Sequence, residues 1–267
     1  MSWEGSGLRI ALAVDSNIYL ANIRQDYKWA YFSGTLVYAY SKPDRNEYCV
    51  AFWDTKTGEK YTKYVKKLIS IVAHGDYCVL STHGDEADQY ILILCNAIGS
   101  RVDSRHIDME PKFTAITSTH VVAASPSMVY VWQYRSAASK LKPLAMEAPP
   151  GLKKKDINER IFHVDDMAGA GSAQSRKNAA KIPPTTDPVV AVCASDKYVL
   201  VGRQSGTVFV YNMPQVYLQY KVNLQAQPKS MALNCNSTRL STIDIQGMLA
   251  LYDIAVRTKH KTTVLLE

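Results

Sequence analysis

The feature that most constrains how this chain folds is a unit of about forty residues that recurs along it. Each copy holds a short apolar run, a polar turn, a second run, a tight turn and a third run ending in an aromatic residue or aspartate. The clearest copy reads Pro188–Cys193, Ala194–Lys197, Tyr198–Gly202, Arg203–Gly206 and Thr207–Tyr211. The next reads Ser230–Leu233, Asn234–Ser237, Arg239–Asp244, Gln246–Gly247 and Met248–Asp253. The turn glycines Gly206 and Gly247 stand 41 residues apart. Glycine is expected there because tight hairpin turns need positive φ.

Third runs also begin at Asn17, Tyr48, Tyr90 and Met128, at separations of 31, 42 and 38 residues, with 79 from Met128 to Thr207. The runs alternate, are rich in Val, Ile, Tyr and Thr, and are bounded by Gly, Asp, Ser or Asn. That pattern predicts strands, and no stretch of helical periodicity rivals it. A four-stranded unit of this length has the spacing of a propeller blade, and Trp53–Asp54 matches the WD dipeptide. One such sheet cannot cover its own faces, so neighbours must stack around an axis.

The predicted fold is therefore all-β: a WD40-like β-propeller with about six blades present. The first blade is partial, because Ser2–Trp3 sits where its opening strand should already be ending. Rings usually close by pairing strands from both termini. Five clear units plus a remnant predict an incomplete propeller, a piece of something longer.

Charge divides the chain. Of a formal net charge of +7, the stretch 135–186 carries +5: ten Lys/Arg against Glu147, Asp156, Glu159, Asp165 and Asp166. It also holds Pro143, Pro149, Pro150, Pro183, Pro184 and the run Ala168–Ala173. Such composition buries too little apolar surface to offset the entropy of ordering. The expected division is blades over 1–134, a flexible basic insertion over 135–186 with a short ordered island at Arg160–Val164, and further blades over 187–267 with a truncated end. Within the insertion Lys153, Lys154, Lys155 and Arg160 are the candidate contacts to an acidic partner or anionic membrane. Each basic residue near such a surface contributes about 1 kcal/mol, a tether rather than an address. A solvated, solubilising loop is the plainer reading of the same residues.

Chemistry-bearing motifs are absent. There is no nucleophile elbow, phosphate-binding loop or dinucleotide fingerprint. The six histidines lack metal-ligand spacing, and His163–Asp166 is the one cluster resembling a ligand set. No catalytic residue, cofactor site or metal site is expected, although a propeller can converge side chains on its channel without a linear motif. Five cysteines without a C-x-x-C pair read as reduced packing residues. The aromatics read as packing between blades, not as a stacking platform for nucleic acid. Lys60–Lys67 reads as a solvated outer strand, with Tyr61 and Lys63 on one face and Lys60, Thr62 and Tyr64 on the other. The N-terminus lacks the basic and apolar regions of a secretory signal, which predicts a cytosolic or nuclear chain.

Longer strings carry a more specific resemblance. The segments Ser2–Trp29, Val37–Lys56, Lys63–Ile71, Leu94–Gly99, His163–Asp166, Ala194–Lys197, Val201–Thr207 and Leu233–Leu240 resemble the second β-propeller of the intraflagellar transport protein 121 family, also called WD repeat-containing protein 35. The resemblance covers nearly the whole chain outside the insertion. It implies a non-enzymatic scaffold of intraflagellar transport complex A, acting in retrograde ciliary transport, ciliogenesis and the import of membrane proteins. The implied partners are other complex A subunits, with ciliary membrane-protein cargo adaptors and anionic membrane beside them, and neither nucleic acid nor a small-molecule substrate. The implied location is the cytoplasm and the cilium or flagellum, at basal body and axoneme. The alternative is a coat-like module that binds anionic membrane or acidic partners through its basic insertion.

Overall fold

The computed structural model describes residues 2–5, 9–22, 28–41, 47–86, 88–135, 158–166, 185–254 and 258–265, of which Asn22 and 258–265 are described by backbone alone. Among these residues every helix or strand is a strand, and the strands form six antiparallel sheets. The first sheet holds β1 (Ser2–Trp3), β2 (Arg9–Val14) and β3 (Asn17–Asn22). The second holds β4 (Lys28–Phe32), β5 (Thr35–Ser41), β6 (Tyr48–Asp54) and β7 (Lys60–Val65). The third holds β8 (Leu68–His74), β9 (Tyr77–His83), β10 (Tyr90–Cys95) and β11 (Arg101–Ile107). The fourth holds β12 (Phe113–Ile116), β13 (His120–Ala124), β14 (Met128–Gln133) and β15 (Glu159–His163). The fifth runs through β16 (Val189–Ala194), β17 (Tyr198–Arg203), β18 (Thr207–Asn212) and β19 (Tyr217–Asn223). The sixth runs through β20 (Pro228–Leu233), β21 (Arg239–Asp244), β22 (Met248–Asp253) and β23 (Thr258–Leu265).

Each third run read from the sequence is the third strand of a sheet. The turn glycines behave as their position requires: Gly206 and Gly247 both take φ of +85°. Asp54, closing the Trp53–Asp54 dipeptide, accepts the backbone N–H of Lys56 at 2.8 Å and of Thr57 at 3.1 Å, which caps the turn into β7. These two N–H bonds hold its carboxyl below the usual range.

The sheets touch through their first strands, β4 with β8, β8 with β12, β12 with β16 and β16 with β20. That is the arrangement of an incomplete WD40 β-propeller, with first strands at the axis. The core is divided into four seams, one between each adjacent pair from the second blade to the sixth. Strand alternation feeds both sides at once. Along β13, Val121 and Ala123 enter the seam with the third blade, while Val122 and Ala124 enter the seam with the fifth. Leaving such residues uncovered would forfeit roughly 1.5–3 kcal/mol for each large side chain, so a lone sheet has no stable alternative to stacking.

The first sheet shares none of these clusters. Ile18 and Leu20 on β3 are 75% and 82% exposed, and Trp29 and Tyr31 on β4 are 61% and 58% exposed. The expectation that strand aromatics pack between blades therefore holds for Trp132, fully buried in the seam of the third and fourth blades, and fails for Trp29. Alternation puts Trp29 on the face of the second blade opposite its seam, where no apolar cluster forms among the described residues. The cysteines also divide: Cys49, Cys78, Cys95 and Cys193 are buried free thiols, whereas Cys235 is exposed in the turn before β21.

Candidate functional site

Of the four candidate contacts, Lys153, Lys154 and Lys155 lie outside the described residues. Arg160 is described, and it stands exposed on β15. Its guanidinium Nη1 donates to the carbonyl of Gln215, just before β19 of the next blade. Arg160 thus fastens two blades together.

The ordered island expected at Arg160–Val164 is β15 itself, the outer strand of the fourth blade. It pairs along β14 from Trp132↔Glu159 to Met128↔His163. Gln133 N donates to Asn158 O at 2.8 Å, and Val164 N donates to Ser127 O at 2.9 Å. Residues 135 and 158 therefore flank one end of the blade, and residues 166 and 185 the other. The basic stretch read as one insertion is interrupted by a blade strand, with its two parts joined to opposite rims.

Both ends of β15 are clamped by neighbours. At its start, Glu159 Oε1 pairs with Arg105 Nε of the third blade at 2.7 Å, and Arg105 Nη1 pairs with Asp103 at 2.7 Å. The Arg105 guanidinium lies 4.8 Å from the Trp132 ring centre. Burial, then the Glu159 carboxylate, pushes the Tyr130 phenol up beside them.

At the other end stands Arg203, whose side chain is 1% exposed. Its Nη1 donates to Val164 O at 3.0 Å, and its Nη2 donates to Asp165 Oδ1 at 2.5 Å and Thr185 Oγ1 at 3.1 Å. Its Nε donates to Asp187 O at 2.5 Å, and the guanidinium packs 5.2 Å from the Phe209 ring centre. A buried guanidinium is tolerable only when its donors are paired in this way. The Arg203 hydrogen bond holds the Asp165 carboxyl below its usual range.

The His163–Asp166 cluster is thus built around a cation. Asp165 is committed to Arg203, and His163 Nδ1 accepts the Asp165 backbone N–H at 3.2 Å. Among the described residues no three His, Cys, Asp or Glu side chains gather as a metal site. On the outer strand β7, Lys63 and Val65 face the third blade while Lys60, Thr62 and Tyr64 face outward. Sequence reasoning missed Arg203 and Arg105. Arg203 was read only as the start of a turn; an arginine closing the apolar run Tyr198–Gly202 was the available signal.

What this arrangement can do is present blade surfaces, with residues 135 and 158 at one rim and residues 166 and 185 at the other. Comparison with known proteins gives the same picture of the fold. The family described as the WDR35 second beta-propeller matches residues 29–266. The chain is 51% identical over 264 residues to WD repeat-containing protein 35 of Rattus norvegicus, covering 98% of the chain and 22% of that protein. It is 48% identical over 274 residues to the protein of that name in Homo sapiens, covering 98% of the chain and 23% of that protein. The chain therefore spans less than a quarter of the length of the curated relatives it matches. Among solved structures, the β-propeller domain of Myceliophteria thermophila Cps50 (Swd1) aligns with a TM-score of 0.54 at 10% identity, over 85% of this chain and 65% of that one. That likeness speaks to fold alone.

Proposed function

This chain belongs to the WDR35 second beta-propeller family, and from that premise we propose that it works as a non-enzymatic scaffold module of intraflagellar transport complex A. In this reading it supports retrograde ciliary transport and ciliary import of membrane proteins, through protein–protein contacts in the cytoplasm and cilium. The observation that carries the reading is an identity of about half that runs through 98% of the chain. The blades of 1–134 and 187–267 form the scaffold, and the basic stretch 135–186, apart from β15, its appendage. The test is affinity capture of the full-length protein from ciliated cells. Other complex A subunits should be recovered with it, and their absence would sink the proposal.

A second reading draws on the charge of 135–186. Lys153, Lys154 and Lys155 lie outside the described residues and precede Asn158–Glu159, which Gln133 and Arg105 fix at one rim. On this reading they contact an acidic partner or an anionic membrane. Flotation with anionic vesicles should weaken when all three become Glu. Unchanged binding would remove them from consideration.

A further inference from the structure

Cys78 on β9 and Cys95 on β10 are directly opposed across the third blade, and both are fully buried. Opposed residues of antiparallel strands place their Cα atoms about 4.5 or 5.5 Å apart, within the roughly 4.4–6.8 Å that a disulfide spans. A third group completes the cluster. Lys63, on β7 of the second blade, brings Nζ to 3.9 Å from Cys95 Sγ.

The two sulfurs are not equivalent. The Cys78 thiol donates to the Cys95 sulfur, and the Lys63 ammonium adds a positive field, so Cys95 is held below the usual thiol range despite its burial. The same hydrogen bond, with burial, pushes Cys78 up. Lys63 stands beside Cys95 and not Cys78, so Cys95 is the better placed of the two to react as a thiolate. Cys193 has no such setting, and burial alone pushes it to about 12.

We propose that Cys78 and Cys95 form a dithiol oxidisable by hydrogen peroxide, a reversible modification site at the seam of the second and third blades. The Cys95 thiolate attacks one peroxide oxygen: an S–O bond forms, the O–O bond breaks and hydroxide leaves, giving a sulfenic acid. Cys78 then attacks the sulfenic sulfur. The S–S bond forms, and the departing hydroxyl takes the Cys78 proton and leaves as water. The sulfurs lose two electrons, and peroxide is reduced to water and hydroxide. The bridge alters the Cys95 sulfur that Lys63 faces, so the oxidation state is felt by the neighbouring blade. Because both thiols are buried, peroxide reaches them only through local opening of the blade.

The test uses the chain carrying Cys235→Ser, so that the exposed thiol does not compete. After peroxide treatment, digestion without reduction should yield one peptide pair joined through Cys78 and Cys95, separated again by dithiothreitol. Full alkylation of both thiols after treatment would overturn the proposal. With Cys78→Ser added, dimedone should label Cys95; with Cys95→Ser added instead, Cys78 should stay unlabelled. Labelling of Cys78 alone would overturn the assigned roles. Lys63→Met should slow bridge formation several-fold, and an unchanged rate would remove Lys63 from the site.

Discussion

Arg203 Nη2 lies 2.5 Å from Asp165 Oδ1, which joins the second strand of the fifth blade to the end of the outer strand of the fourth. The same guanidinium holds the carbonyls of Val164 and Asp187. One buried cation thus closes the gap between residues 166 and 185, and does so with its donors rather than through an apolar contact.

Replacing Arg203 with Met keeps most of its volume and removes every donor. Two carbonyls, the Thr185 hydroxyl and the Asp165 carboxylate then lose that donor, while the Asp187 carboxylate keeps Ser205. Asp165 and Asp187 keep partial access to water, so the expected loss is near the lower end of the 3–5 kcal/mol typical of a broken buried pair. Chemical denaturation would measure it. Limited proteolysis should cut the β15–β16 connection faster than in the parent chain, and an unchanged midpoint and cleavage rate would contradict the clamp.

Acid should destabilise the protein in two steps. Burial holds His120 below its ordinary range. Its contribution is fully present above pH ~6.5 and fades as pH falls toward the lowered folded value, where the unfolded chain binds the extra proton. Asp165 is also lowered, through Arg203, so its contribution is present above pH ~3.9 and is lost in stronger acid. Melting temperatures across this range should show His120→Gln flattening the first step and Asp165→Asn the second. Parallel curves for parent and variants would refute the assignment.

Gly99 takes φ of +78°, and a Cβ there would stand 2.8 Å from the Phe52 ring of the second blade. Gly99→Ala is therefore expected to cost about 1–3 kcal/mol for overpacking and about 1–2 kcal/mol for the left-handed backbone. A compensating Phe52→Leu should recover part of that loss. A double-mutant cycle checks the coupling, and additive losses would exclude a direct clash.

Trp132 fills the seam of the third and fourth blades at 0% exposure. Trp132→Ala should destabilise by about 3–5 kcal/mol. Trp132→Phe should cost less, since the indole Nε1 has no hydrogen-bond acceptor among the described residues and its removal frees no buried partner. Denaturation midpoints rank the two, and a reversed order would mean that the nitrogen is satisfied after all.

The strands were legible because alternation is local: Val208 and Val210, or Leu92 and Leu94, announce a buried face within a few residues. The pairing of β15 with β14 was not, because it crosses the 25 residues between Gln133 and Glu159 and no turn chemistry links them. Arg203 was hidden for a similar reason. Its partners lie 16 to 39 residues away, so nothing beside it in sequence reveals the cluster. Trp29 shows a different limit. Periodicity tells which residues share a face, but whether another sheet covers that face is settled only by stacking.

Among the described residues every apolar cluster is shared by two adjacent sheets and none by three. Cohesion is thus handed along neighbour to neighbour, as in a row of leaning books, with no common centre whose loss topples all. The sheet at the far end should peel away at little cost to the rest. Amide exchange should be slowest in the middle strands of the third, fourth and fifth blades, which are gripped from both sides.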